Sequence, residues 1–583
     1  MGIKIKSWKI YCLILLIALA TGSFSHANAG FIYSIPENTL QIANTTHIEQ
    51  LRNAPKSEFI RVGISDSAFK NYTYTEISVY GTGDLFIYED GALLGRYPDN
   101  KVVKIKITDG QIILYPSEHE MPSQINGKLE LQCPDGLLGV HGLTRAGKPA
   151  LYRGSFEIVR VNGAFNIVNV IEVEEYLRGV VPNEMPVKFG LEALKAQSVA
   201  ARNYVLSPRT KASPNYDVVD SVASQVYFGA NTEKTLSDQA VEQTEGVVAL
   251  YDWNLILAQY SSTAGGYTES FANVFSDPVS KKFPSEHKPY LVAKPDILSR
   301  TPLNTDEAAS EFYKSKPDSY DIRSPYFRWE RDWTAKELKD ALEKTLPAQS
   351  ATGFVKPAFN SGQKLSDIEE IKVIKRGESG KIIELEIITK NQTYKVYKEL
   401  VIRRLITKNG TALPSANVVF ENIKDDKGNL ISIKAYGGGY GHGVGMSQYG
   451  AGFMGSELNL TYDKILKHYY TGVSLATKPV IISSDVTQSA VQQSFYTKDK
   501  NVSIIVDNKY QASKLIANIN GKEYCFDLPT GFLSGKRIAK IDISQYIKSG
   551  RNTIMFIYPT DEGSKKALRL YMELVKDDNN SIW

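Results

Sequence analysis

The sequence is poor in cysteine, with three in 583 residues. That excludes a small disulfide-stapled scaffold, and no cysteine pair or cluster has metal-ligand spacing. A lasting charge bias is missing as well. Lysine and arginine total 68 against 64 acidic residues. Three of those lysines, Lys4, Lys6 and Lys9, lie at the extreme N-terminus, so the balance gives no reason to expect a nucleic-acid partner. Long apolar runs are scarce: the stretch from Ile10 to Ala20 is far too little for a polytopic membrane protein. No G-x-G-x-x-G enters a helix, and no phosphate loop, H-E-x-x-H or G-x-S-x-G occurs. Nucleotide-dependent, zinc-peptidase and α/β-hydrolase readings lose their usual support.

What is present begins with a leader. Three lysines, an apolar run and the small-residue site Ala27-Asn28-Ala29 have the layout of a secretory signal, predicting export with cleavage after Ala29. An uncleaved signal anchor in the membrane is the alternative. Cleavage removes Cys12 and leaves Cys133 and Cys525, read as two unassociated thiols in separate domains.

At roughly 100–200 residues per domain the length predicts several domains. After the signal peptide at 1–29 comes a polar segment at 30–57. Short alternating runs cut by Gly, Asp and Pro then predict a small β domain over 58–130. A core over 131–475 mixes strands, including a hairpin around Asn162-Gly163, with two candidate helices in VEEYLRGVVPNEMPVKFGLEALKAQSVAARNYVL. A helical insertion is expected around 300–350, where Thr334 and Glu337 have capping-box spacing. Residues 490–583 read as a C-terminal β-sandwich, suited to carbohydrate or partner binding. Strands and helices without a βαβ rhythm predict an α+β fold, mostly β and mixed, with flanking β domains.

Three segments invite chemistry. Glu184 lies in VVPNEMP, where Pro182 and Pro186 should keep it on a rigid irregular connector; an apolar pocket there would raise its pKa toward what a general acid needs, whereas an exposed loop glutamate is the ordinary alternative. In GGGYGHGVGMSQYG, Gly439, Gly441, Gly443 and Gly445 suit either a backbone that approaches a ligand and presents His442, or a compact core turn. Ser261 and Ser262, ahead of a Gly turn, could pair with His442 as a nucleophile, although serines at such turns commonly bond the backbone. His287 has no companion ligand and reads as a surface residue.

Taken in order, YRGSFEIV from Tyr152, VEEYLRGVVPNEMP ending at Pro186, LEALKAQSVAARNY from Leu191 to Tyr204, SQVYFG from Ser224, STAGGYTES from Ser262 and GHGVGMSQYGA from Gly441 resemble the SpoIID/LytB family. Its members are the sporulation stage II protein D and the amidase enhancers. The resemblance covers about Tyr152 to Gly472. It implies a lytic transglycosylase that cuts the peptidoglycan glycan strand between N-acetylmuramic acid and N-acetylglucosamine and leaves 1,6-anhydro ends, with Glu184 as acid and base. Arg178, Arg202, Tyr204, Gln225, Tyr227, Thr268, His442, Gln448 and Tyr449 are the positions it implies for a sugar-binding groove. The partners implied are glycan strands, intact or peptide-stripped, and a cell-wall amidase. A non-catalytic amidase activator and a structural wall or spore-coat protein are the competing readings. No cofactor is expected, and zinc, which some relatives hold through histidine and cysteine near Gly-Gly-x-Thr, is not expected because YSSTAGGYTES offers neither residue.

Overall fold

The computed structural model describes residues 58–116, 120–208, 211–297, 302–483, 490–508, 512–528, 537–558 and 567–574, and the backbone of Phe31–Ser34 and Leu40–Gln41. The predicted leader lies outside the described residues. Among the described residues no helix is long and apolar enough to cross a membrane. Strand accounts for 40% of the chain and helix for 20%, which makes the fold a mostly β, mixed α+β one.

Alternating runs in the first third do form strands, but their partners cross the boundary expected at residue 130. Leu129–Gln132 pairs antiparallel with Leu85–Glu89 on one side and with Ser155–Val161 on the other. Phe59–Ile64 pairs with Ala164–Glu172. A seven-stranded sheet thus runs from Val218–Val219 through these strands to Ala92–Tyr97, and a six-stranded sheet carries Glu76–Gly81 and Leu138–Arg145. Residues 58–130 and the start of the core are one body. Alternation reveals which face of a strand is buried, not which strand lies beside it. The hairpin at Asn162-Gly163 is present, with both residues at positive φ as a tight two-residue turn demands.

The insertion expected at 300–350 is larger and largely β. Helices Asp306–Lys314 and Ala335–Ser350 accompany a three-stranded sheet built on Leu430–Gly437 and a four-stranded sheet built on Ile382–Thr389. Trp333, Leu338, Leu342, Leu385, Ile387 and Ile402 fill a core of its own. The capping box forms as expected: Thr334 Oγ1 accepts from Glu337 N–H, and the Glu337 carboxylate accepts from Thr334 N–H at 2.9 Å.

Two sheets also make up the C-terminal unit, and their apolar faces share one core. That unit is continuous with what precedes it. Ser474–Thr477 pairs with Val247–Tyr251 of the core and touches Ala567–Glu573 of the C-terminal sheet. From the segment expected to be merely polar, Phe31–Ser34 lies parallel to Arg537–Lys540 and Leu40–Gln41 pairs with Cys525–Phe526. Cys133, just past the strand Leu129–Gln132, and Cys525, in a strand of the C-terminal unit, are both buried and form no disulfide.

A buried ion pair holds the first two sheets together. Arg145, at the end of its strand, meets Asp220 at 2.6 Å with both side chains fully enclosed. Asp220 also accepts from Ser65 N–H and Oγ, and the guanidinium lies over the Phe69 ring. Removing one partner strands the other charge away from water. Asp220→Ala should lower unfolding free energy by roughly 3–5 kcal/mol, read by denaturant unfolding, whereas Asp66→Ala, at an exposed turn, should cost far less.

Candidate active site

The chain reaches Glu184 through two helical pieces. Val173–Arg178 carries Glu174 and Glu175 in its first turn and Arg178 in its last, signs that suit the helix dipole. Val181–Glu184 then makes one turn with Pro182 at its start. Proline is tolerated there because the N–H it lacks would have no helical acceptor. The connector expected to be irregular is therefore a single helical turn. Glu184 and Met185 N–H close it by donating to the Val180 and Val181 carbonyls at 3.0 Å.

Glu184 is part-buried, and its Oε1 accepts a 2.6 Å hydrogen bond from Val226 N–H. Loss of water outweighs that bond and pushes the carboxyl from 4.5 up to about 7. Among the described residues neither a cation nor a second carboxylate acts on it. Beside Val226, the fully buried Gln225 donates from Nε2 to the Tyr260 hydroxyl at 2.9 Å and accepts from Tyr176 at 3.3 Å. The Tyr204 ring meets Tyr260 edge-on, with centroids 6.5 Å apart.

Helix Leu191–Leu206 supports this cluster from behind. Its side chains from Ala193 to Asn203 are buried on every face, which suits its small alanines, and Tyr204 is left part-exposed at the cluster's edge. Arg202 grips Glu174 with two nitrogens and donates to the Val247 carbonyl at 3.0 Å. Asn203 Nδ2 donates to the Ala249 and Ile256 carbonyls, while its Oδ1 accepts from Ala249 N–H. These two side chains hold the strand region that leads to Tyr260.

The glycine-rich loop lies against that same region. Tyr260 and Ser261 pair with Met446 and Ser447, and a Cβ on Gly445 would stand 2.0 Å from the Gln259 carbonyl oxygen, so glycine is required there for close approach. His442 accepts from Val444 N–H at Nδ1 and hydrogen-bonds the Tyr260 backbone. Burial first, and then the nearby Lys381 charge, hold its pKa down to about 3. Lys381 is itself buried, with no hydrogen-bond acceptor for Nζ among the described residues. A neutral imidazole with both nitrogens engaged is a staple between loop and strand, not a base for Ser261 or Ser262.

The Ser-Thr-Gly turn is occupied by the protein itself. Asp321 accepts from Thr263 Oγ1 and from the amides of Gly265 and Gly266, both at positive φ. A carboxylate thus fills the nest of amides. Among the described residues no group of three or more His, Cys, Asp and Glu is placed to hold a metal, and the donors at this turn do not suit zinc.

Glu184, Tyr204, Gln225 and His442 therefore meet around Tyr260, a residue the sequence reading passed over although it directly precedes Ser261. The other expected positions have bonds and contacts of their own. Arg202 is spent on Glu174 and Val247, so it has no hand free for a sugar. Tyr227 is buried and donates to Asn169 at 2.8 Å. Thr268 exchanges hydrogen bonds with Lys294. Gln448 meets Gln197 at 3.2 Å. Arg178 lies among the charges of Glu175 and Asp238 rather than at Glu184. Tyr449, part-exposed, packs edge-on against Phe189. His287 is exposed, as expected. Motif membership marked these residues without separating those bonded inside the fold from those left part-exposed.

A family model described as SpoIID, stage II sporulation protein, matches residues 161–251, which include Glu184, the Leu191–Leu206 helix and Gln225. The chain thus carries a SpoIID domain. It is 32% identical over 317 residues to the amidase enhancer of Bacillus subtilis, an alignment covering 52% of this chain and 40% of that protein. The chain thus spans well under half the length of that relative. Stage II sporulation protein D of B. subtilis is 29% identical, with 53% of this chain and 76% of that one aligned. The Bacillus amyloliquefaciens protein of that name is 26% identical, with 64% and 94% aligned. Residues 277–445 match a domain of unknown function, DUF8618. That span takes in the enlarged β insertion and ends in the glycine-rich loop.

A carboxyl whose folded pKa is raised binds its proton more tightly folded than unfolded, so stability is lost as pH climbs from about 4.5 to about 7. Glu184→Gln removes that penalty. The variant should match the parent near pH 4 and be more stable by roughly 1–3 kcal/mol at pH 8, as read by denaturant unfolding at the two pH values.

Proposed function

We propose that this protein is an exported peptidoglycan lytic transglycosylase with Glu184 as its acid and base. The SpoIID domain and the names of the relatives support a cell-wall-related role, and the observation that carries the finer reading is a carboxyl at about 7 with, among the described residues, no second acid acting on it. A hydrolase needs a second group to activate water or form a glycosyl intermediate. A single carboxyl suffices when the substrate supplies the nucleophile. Protonated Glu184 gives its proton to the glycosidic oxygen as the bond from C1 of N-acetylmuramic acid breaks. The resulting carboxylate takes the proton of that sugar's C6 hydroxyl as its oxygen bonds C1, closing the 1,6-anhydro ring and restoring the acid.

The test is mass spectrometry of glycan strands, intact and peptide-stripped, incubated with the mature chain. New 1,6-anhydro ends are expected, with kcat/KM falling about 10²–10⁴-fold in Glu184→Gln. In the parent, kcat/KM should decline about tenfold per pH unit above about 7, where free Glu184 has lost its proton. No anhydro ends from either substrate would sink the reading. The name of the 32% identical relative supports a second one, enhancement of a cell-wall amidase without glycan cleavage. Stimulation of a supplied amidase, undiminished in Glu184→Gln, would favour it.

A further inference from the structure

The donors and acceptors around Gln225 can be assigned without seeing a hydrogen. Its Nε2 lies 3.4 Å from the Ala201 carbonyl oxygen, an atom that can only accept. The amide nitrogen must therefore face Ala201, and the same nitrogen reaches the Tyr260 hydroxyl at 2.9 Å. Oε1 is left to accept from Tyr176. It follows that the Tyr260 oxygen is the acceptor in its bond with Gln225. Its own proton must point elsewhere, and among the described residues no acceptor takes it.

The ring that carries this proton is held on several sides. Backbone pairing to Met446, the His442 bond to its main chain and the edge of Tyr204 fix its position. The residue is nevertheless part-exposed, and so is Glu184, which is bonded to the residue next to Gln225. We propose that Tyr260 is a second substrate-contacting residue of this site, donating its phenolic hydrogen to an acceptor oxygen of the acetamido sugar held against Glu184. Burial and the charge of Glu184 keep the phenol protonated throughout the working range, so it remains a donor. Tyr176 and Gln225 act through it as positioning residues.

The contact deepens the reading of Glu184 as the reacting acid and rests on it for turnover, but not for binding. Tyr260→Phe keeps the ring and deletes the donor. Placed in the Glu184→Gln full mature chain, whose cutting should be too slow to disturb the measurement, it should weaken calorimetric binding of peptide-free glycan fragments about tenfold, with the thermal midpoint kept within a few degrees. In the otherwise unaltered chain it should lower kcat/KM at least tenfold and leave the position of the alkaline limb in place. Unchanged binding and turnover in a folded Tyr260→Phe protein would overturn the proposal while leaving the lytic reading intact. Weakened binding in the Glu184→Gln background, with no anhydro ends from the parent, would sustain Tyr260 as a glycan contact and overturn the lytic reading instead. Should Tyr260→Phe unfold, Gln225→Met, which frees the hydroxyl to rotate, must weaken binding severalfold; unchanged affinity there overturns the proposal.

Discussion

Enclosure of the Leu191–Leu206 helix on every side is the constraint on which the site depends. A helix buried all round hides polar side chains at a cost that hydrogen-bond partners offset. Arg202 and Asn203 find theirs in Glu174 and in the main chain at Val247, Ala249 and Ile256. Those bonds determine where the following strand region runs, and hence where Tyr260 stands relative to Glu184. The alanines that allow close packing and the polar residues that direct the neighbours serve the same arrangement.

The glycine-rich loop completes it from another part of the chain. Met446 and Ser447 pair with Tyr260 and Ser261 across nearly two hundred residues, and His442 ties the loop to the Tyr260 backbone. Between these segments the chain makes the long excursion that builds the β insertion with its own core. The insertion contributes Asp321 to the Ser-Thr-Gly turn and Lys381 behind His442. It is thereby joined to the site's frame, and its charges help keep the imidazole neutral.

An environment with one perturbed carboxyl and several neutral hydrogen-bonding groups differs from a paired-carboxylate site in what it asks of the substrate. Glu184 has a raised pKa because water is lost, not because another acid repels it. A group raised by burial alone returns to the same acid form once its proton is regained, so it can serve in both halves of a proton shuttle. The neighbouring phenol and amide carry no charge, so in the proposed reading they would meet uncharged hydroxyl and acetamido groups without a counter-ion.

Sequence by itself determined the local features: the Asn162-Gly163 hairpin, the Thr334–Glu337 capping box, the alanine-rich helix, the need for glycine in the 439–445 loop and, through ordered motifs, the resemblance to the SpoIID/LytB family that singled out Glu184. Each is written in residues close together along the chain, where φ restrictions, caps and periodicity act. Only the tertiary structure decided the rest. It merged residues 58–130 with the core, enlarged the insertion into a β unit and turned Arg202, Tyr227 and Thr268 from sugar-facing candidates into internal bonds. It also brought Tyr260 to Glu184. Strand partners and the direction of a polar side chain are set by atoms many tens of residues away, and no local pattern encodes which buried donor will meet which acceptor.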